Sequence, residues 1–438
     1  MSWRTTKCSG ESHRILLIPA PRPGRSAPTR RGGRRSRPHR FLHPPFTASS
    51  PAGSSPATGH REGSAVTRRA RLRELDLLRF LAAMAVVLYH FTGFGGDGAW
   101  PEPAREVFPE LAGVTRYGYL GVDLFFVISG FVILMSAWGR GPGEFGISRL
   151  VRLMPAYWAS VLLGAVVYAL FREGNGVPGL VVPNMTMLQG GLGIRNVDAV
   201  YWTLWVEMHF YVLAAILAAV GITYRSCLIF MAAWMFGGVF ADEAGNELLQ
   251  IMLVPTWSPY FIAGMALFMI HRFGPTLLLW GYVAVSWLLA LHWGTWRAGT
   301  AFKGADDTVV GVVVTAIFAV MILVATGRLG RIRWSGLTLL GALTYPLYLV
   351  HSQLALPLLD AAYPELNRWA ALAAVTAASL VLAYAVHRLV ERPGAAWLRA
   401  KLLASLAPMR PAAEAAPGGA GAAAVPAARP ADAELIRH

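Results

Sequence analysis

The sequence predicts an all-α integral membrane protein, a polytopic helix bundle with about ten transmembrane helices and both termini in the cytoplasm. Three observations predict it. Of the 438 residues, 55% are hydrophobic and only 14% are charged, where an ordinary soluble domain carries about 25% charged residues; the mean hydropathy is +0.46. Apolar stretches long enough to cross a hydrocarbon core of about 30 Å as helices recur from Leu75 to Val390. Lysine and arginine then fall unevenly on the segments between them.

The expected spans lie near residues 75–95, 118–138, 155–171, 203–220, 226–240, 251–270, 274–292, 308–325, 338–359 and 368–390. The fifth, "SCLIFMAAWMFGGVF", is short. Tryptophans gather at many ends, among them Trp138, Trp158, Trp202, Trp257, Trp293, Trp334 and Trp369, as interfacial belts do. Ten crossings put both termini on one side. If that side is cytoplasmic, the inner segments hold 16 Lys and Arg and the longer outer loops hold seven, which is the positive-inside bias. The sequence shows no internal repeat of the inverted-topology kind.

Before the spans, residues 1–70 form a basic segment expected to be disordered: "PRPGRSAPTRRGGRRSRPHR" has too little apolar surface to fold. Residues 1–65 supply +10 of the net charge of +15, so the basic balance is a property of the leader and not a nucleic-acid footprint. The leader fits a lipid-touching arm, a targeting segment or an upstream start site; the last is the favoured expectation, with Val66 marking the natural beginning. Residues 71–400 form the membrane domain. Residues 401–438, rich in Ala and Pro, are expected to be an unstructured tail. The two cysteines, Cys8 and Cys227, offer neither a disulfide framework nor zinc spacing, and no metal is expected.

Ionisable side chains inside spans are candidates for function because burial in lipid costs several kcal/mol. Arg79 and His90 are 11 residues apart in "RFLAAMAVVLYH". On a straight helix that is about 20° past three turns, so they share a face about 16 Å apart, with Ala83 and Val86 between them as the lining of a groove. Asp76, three residues before Arg79, is placed to pair with it. By helical rise, His90, Asp123, Glu207 and His351 fall in one narrow slab toward the outer side. Arg149 and Arg152, at i and i+3 before the third span, would share a face; with Arg79 they suit a phosphate-rich ligand at the inner surface. Bland readings stand beside these. The paired arginines also fit topology signals, His90 and His351 fit structural hydrogen bonding between helices, Glu207 fits an anchor for an aromatic-rich helix start, and Ser129 beside Gly130 fits close helix packing.

Five motifs occur in order: "RELDLLRFLAAMAVVLYHF", "GYLGVDLFFVISGFVI", "SRLVRLMPAYW", "YWTLWVEMHFY" and "YPLYLVHS". Through them, over about residues 70–395, the chain resembles the membrane-bound acyltransferase-3 family of acyl-CoA-dependent O-acyltransferases. The resemblance implies a plasma-membrane enzyme with a cytoplasmic acyl-CoA donor, acetyl-CoA by default, and a hydroxyl acceptor on a glycan or a hydroxylated small molecule. It implies His90 as the catalytic histidine, general base or transient acyl carrier, and Arg79, Arg149 and Arg152 in donor binding. Asp123 or Glu207 is the expected orienter of His90; His351, Ser129 and Asp76 are additional site candidates. No appended SGNH-type hydrolase domain is seen. The alternatives are a transporter or exporter of acyl groups or glycans that makes no bonds, and a glycan ligase or polymerase that uses a lipid-linked sugar.

Overall fold

The computed structural model describes residues 72–93, 100, 102–171, 178–300, 305–330, 334–363 and 365–406. The basic leader, and the tail beyond residue 406, lie outside the described residues. Helices make up the structure, and no strand occurs among the described residues. Ten long helices follow the expected order: α1 Arg73–Leu88, α2 Gly121–Ala137, α3 Pro142–Phe171, α4 Trp202–Val220, α5 Tyr224–Glu243, α6 Ser258–Phe273, α7 Leu277–Thr300, α8 Asp307–Ala325, α9 Leu337–Ala362 and α10 Arg368–Val386. An eleventh, α11 Arg392–Leu406, continues α10 through a π-helical turn and carries helix six residues past the boundary expected at 400.

Nine helical segments among the described residues are long and apolar enough to cross a membrane. The tenth expected span, α9, is 26 residues long but is not one of the nine. Its sequence carries two prolines together with Thr344, His351, Ser352 and Gln353, and all four of those polar side chains are buried or half-buried. Helix α7 runs to Thr300, eight residues past the expected end at 292, and two other boundaries differ clearly. Helix α3 starts at Pro142, 13 residues before the expected span, because the amphipathic "SRLVRLM" stretch joins the helix. The expected span at 251–270 is broken at Val254, whose φ of 42° is left-handed, so α6 begins only at Ser258.

Helix α6 is the packing centre. Every residue from Ser258 to Ile270 is buried, as expected of a helix apolar on all sides. It meets α2 backbone to backbone: a Cβ on Gly264 would collide with the Val127 carbonyl, and one on Gly130 with the Phe261 carbonyl. Small residues allow such approach where lipid gives helices no hydrophobic drive to associate. Gly121 does the same for α1, where a Cβ would meet the Ala82 carbonyl at 2.5 Å. Large apolar side chains point outward instead, among them Leu277, Val220, Phe236 and Ile229, as a lipid-facing surface requires. In the loop before α8, Asp306 accepts from the Thr308 and Val309 N–H groups at 2.8 and 3.1 Å, which holds its carboxylate below the usual range.

Candidate active site

Helix α1 ends in a π-helical turn, Tyr89–Gly93, and His90 is its second residue. Single π turns in α-helices are frequent at functional sites. The turn sets the His90 ring against α9. His90 Nδ1 lies 2.9 Å from the Val86 carbonyl and 3.1 Å from His351 Nε2. His351 is fully buried, and its Nδ1 lies 2.9 Å from the Tyr348 carbonyl and 3.2 Å from that of Leu347. Two of the four expected outer-side groups therefore meet.

The other two do not join them. Asp123 forms a buried bidentate pair with Arg297 of α7, at 3.0 and 2.7 Å. Arg297 also donates to the Tyr260 hydroxyl at 2.9 Å and sits 4.1 Å over the Trp257 ring. The expectation that Asp123 orients His90 is corrected: its two oxygens are committed to a guanidinium. Glu207 is likewise elsewhere. Its Oε1 accepts from Ser129 at 2.9 Å and Tyr211 at 2.8 Å, so Ser129 holds a carboxylate rather than merely sparing space.

Glu207 lines a cavity between α1, α2, α3, α4 and α9. Arg79, Arg149 and Arg152 share the lining with Ser129, Tyr211, Tyr345, Phe125, Thr203 and Tyr348. The three arginines expected together are thus together, and α3 carries two of them from one helical face. Three guanidinium groups stand there against one carboxylate. Arg149 donates to Ser148 at 3.2 Å, while its Nε is buried with no hydrogen-bond partner. Asp76 lies close enough to Arg79 for its charge to act on it, and it packs on Gly341 of α9, where a Cβ would come 2.5 Å from its carboxylate. Chemically the cavity suits a multiply charged anion, since guanidinium groups form paired, charge-assisted bonds with phosphate and carboxylate.

The histidine pair is not part of the cavity lining. The expected groove along Ala83 and Val86 is closed: both are buried, and Val86 packs on α2 near Gly121. The lining shifts instead to Phe125 of α2, Thr203 of α4 and Tyr348 of α9. Tyr348 stands at the junction, its ring 5.9 Å from Phe125 and 6.0 Å from His351, and it is tethered to Thr203 at 2.8 Å.

Sequence reasoning missed Tyr348, Thr203, Tyr211 and Asp198. The first three carry no charge and so gave no signal of burial cost. Asp198 reads as a loop residue; it accepts from Ser352, next to His351, and from the Val200 N–H at 3.1 Å. Burial pushes its carboxyl up, and those two donors pull it back. Among the described residues no cluster of three His, Cys, Asp or Glu side chains is placed to hold a metal.

A family model described as an acyltransferase domain, acyltransferase-3, matches residues 72–388, which takes in every residue named above. The chain belongs to the acyltransferase-3 family. It is similar to BcsY of Komagataeibacter xylinus, named as a membrane-bound transacylase, at 32% identity over 34% of this chain and 37% of that one. It is similar to the peptidoglycan O-acetyltransferase OatA of Listeria monocytogenes at 31% identity over 22% of this chain and 14% of that one. The acyltransferase MdmB of Streptomyces mycarofaciens is 28% identical over 33% of this chain and 38% of its own. The matches thus span well under half the length of each relative. No solved structure matches the chain.

Proposed function

We propose that this acyltransferase-3 protein is a plasma-membrane O-acyltransferase. It takes an acyl group, acetyl by default, from cytoplasmic acyl-CoA and passes it to a hydroxyl of a glycan or hydroxylated metabolite. The observation that carries the reading is the cavity whose lining includes Arg79, Arg149 and Arg152 with the carboxylate of Glu207, and also Tyr348, whose ring lies 6.0 Å from that of His351. A buried, unpartnered Arg149 Nε is an expensive arrangement unless an anion takes the bond. The CoA phosphates supply that anion, and the thin pantetheine arm would pass Tyr348 to bring the thioester to His90. OatA, as named, acetylates peptidoglycan, which favours a glycan among the acceptors.

In the reaction, His90 takes the proton of the acceptor hydroxyl as its oxygen bonds to the thioester carbonyl carbon. The carbon–sulfur bond then breaks, and the proton passes to the departing CoA thiolate. General-base assistance of this kind contributes roughly 10²–10⁴-fold. The test is purified protein in lipid nanodiscs with acetyl-CoA, with and without a glycan acceptor. Acceptor-dependent release of free CoA thiol, lost in His90→Ala while the variant stays folded, supports the reading. Acetyl-CoA that remains intact with every acceptor, or full turnover by His90→Ala, overturns it.

A further inference from the structure

The two histidines meet in a way that sets a hydrogen on each Nδ1. His351 Nδ1 faces two backbone carbonyls, those of Tyr348 and Leu347. Carbonyls only accept, so this nitrogen carries a hydrogen. A neutral imidazole has one N–H, which leaves His351 Nε2 as an acceptor. Its partner is His90 Nδ1 at 3.1 Å. His90 Nδ1 also faces the Val86 carbonyl at 2.9 Å. Both neighbours accept, so His90 Nδ1 carries a hydrogen too, and the basic lone pair of His90 lies on Nε2. The opposite assignment fails. A protonated His351 would point a second N–H at His90 Nδ1, which would then have no hydrogen to offer Val86. It would also place a full charge on a residue that is 0% exposed.

We propose that His351 is a positioning residue: together with the Val86 carbonyl it accepts from His90 Nδ1–H and so helps hold His90 in the tautomer whose Nε2 can take the acceptor's proton. The proposal deepens the reading of His90 as the base and rests on it. The role is that of the third group of a nucleophile–base–orienter set, which fixes the base's tautomer and steadies the imidazolium formed in the reaction. Here a neutral imidazole takes that place, and it gives way to a charge-assisted bond once His90 is protonated. Behind the pair, the Asp198 carboxyl accepts from Ser352, the residue next to His351.

The experiment uses full-length protein in nanodiscs, labelled with ¹⁵N-histidine, with the His90 signals assigned by their loss in His90→Ala. The wild type is expected to show His90 with a protonated Nδ1 and an imine Nε2. His351→Gln retains an acceptor oxygen near the lost Nε2; it is expected to keep that tautomer and to hold kcat within about tenfold of wild type. His351→Leu removes that acceptor and leaves the Val86 carbonyl as the one remaining. It is expected to shift part of the population to the other tautomer and to lower kcat roughly 10–100-fold with KM for acetyl-CoA unchanged, a fraction of the loss that follows when a triad's orienter is altered. A wild-type spectrum with His90 protonated on Nε2 overturns the proposal, whatever the variants do. So does a folded His351→Leu variant with wild-type tautomer and kcat. If the wild type transfers no acyl group yet shows the expected tautomer and its loss in His351→Leu, the reading of the reaction fails while the assignment of His351 holds.

Discussion

Removing one member of the Asp123–Arg297 pair tests the division between scaffold and chemistry. The pair has two hydrogen bonds, at 3.0 and 2.7 Å, and its side chains are 0% and 6% exposed. Asp123→Ala leaves the guanidinium buried with only the Tyr260 hydroxyl and the Trp293 carbonyl to receive it. Breaking a buried pair by removing one partner costs about 3–5 kcal/mol, more than a hundredfold in the folding equilibrium at about 1.4 kcal/mol per tenfold. Arg297→Met should cost a similar amount. The double variant removes both charges and should regain most of the loss, because Tyr260 still reaches the Ala290 carbonyl at 3.3 Å. Cys227 supplies the assay, being a buried free thiol. In a Cys8→Ser background, a thiol-reactive dye reports thermal unfolding in detergent. Both single variants should unfold several degrees below wild type, and the double variant should return toward it with kcat largely retained. A double variant that unfolds like wild type but has lost a hundredfold or more in kcat would refute the reasoning and return Asp123 to the chemistry.

The cavity and the helix crossings give three further expectations. Arg149→Ala and Arg152→Ala should each raise KM for acetyl-CoA roughly 10–100-fold, the worth of a hydrogen bond to a charged group at about 1.5–3 kcal/mol; initial rates of thiol release measure this. Gly264→Val places its side chain on the Val127 carbonyl of α2 and should abolish monodisperse protein on size exclusion, whereas Gly281→Ala, which meets nothing within 4 Å, should not. Tyr348→Phe cuts the tether to Thr203 and should cost about 1 kcal/mol of stability, read in the same dye assay. Tyr348→Trp should reduce kcat more than it alters that midpoint, because the larger ring fills the junction between cavity and histidines.

What the sequence reveals and what it hides follow from the range of each signal. Spans are legible because a bilayer demands a long apolar run, a local property; among the described residues nine of the ten expected runs recur in helical segments apolar enough to cross. Helix α9 buries or half-buries Thr344, His351, Ser352 and Gln353 within the protein. The Arg149–Arg152 face is legible as well, since i and i+3 adjacency needs only a helix. Partner choice is not local. Arg297 reads as one of seven outer-loop cations, yet it lies in α7 and binds a carboxylate 174 residues away. Nothing near either residue announces the other, so Asp123 looks available when its charge is already spent on Arg297. Height estimates fail by a related route. They place Glu207 beside His90 in depth but are blind to azimuth, and Glu207 turns to Ser129, Tyr211 and the arginine cavity. The π turn at Tyr89–Gly93 is invisible to a 100° wheel, and with it the contact that matters most for His90. That contact is sequence-distant by 261 residues and is made between two side chains of the same type, so neither charge complementarity nor spacing could have paired them. Only the two backbone carbonyls behind His351 reveal which of the two histidines is the donor.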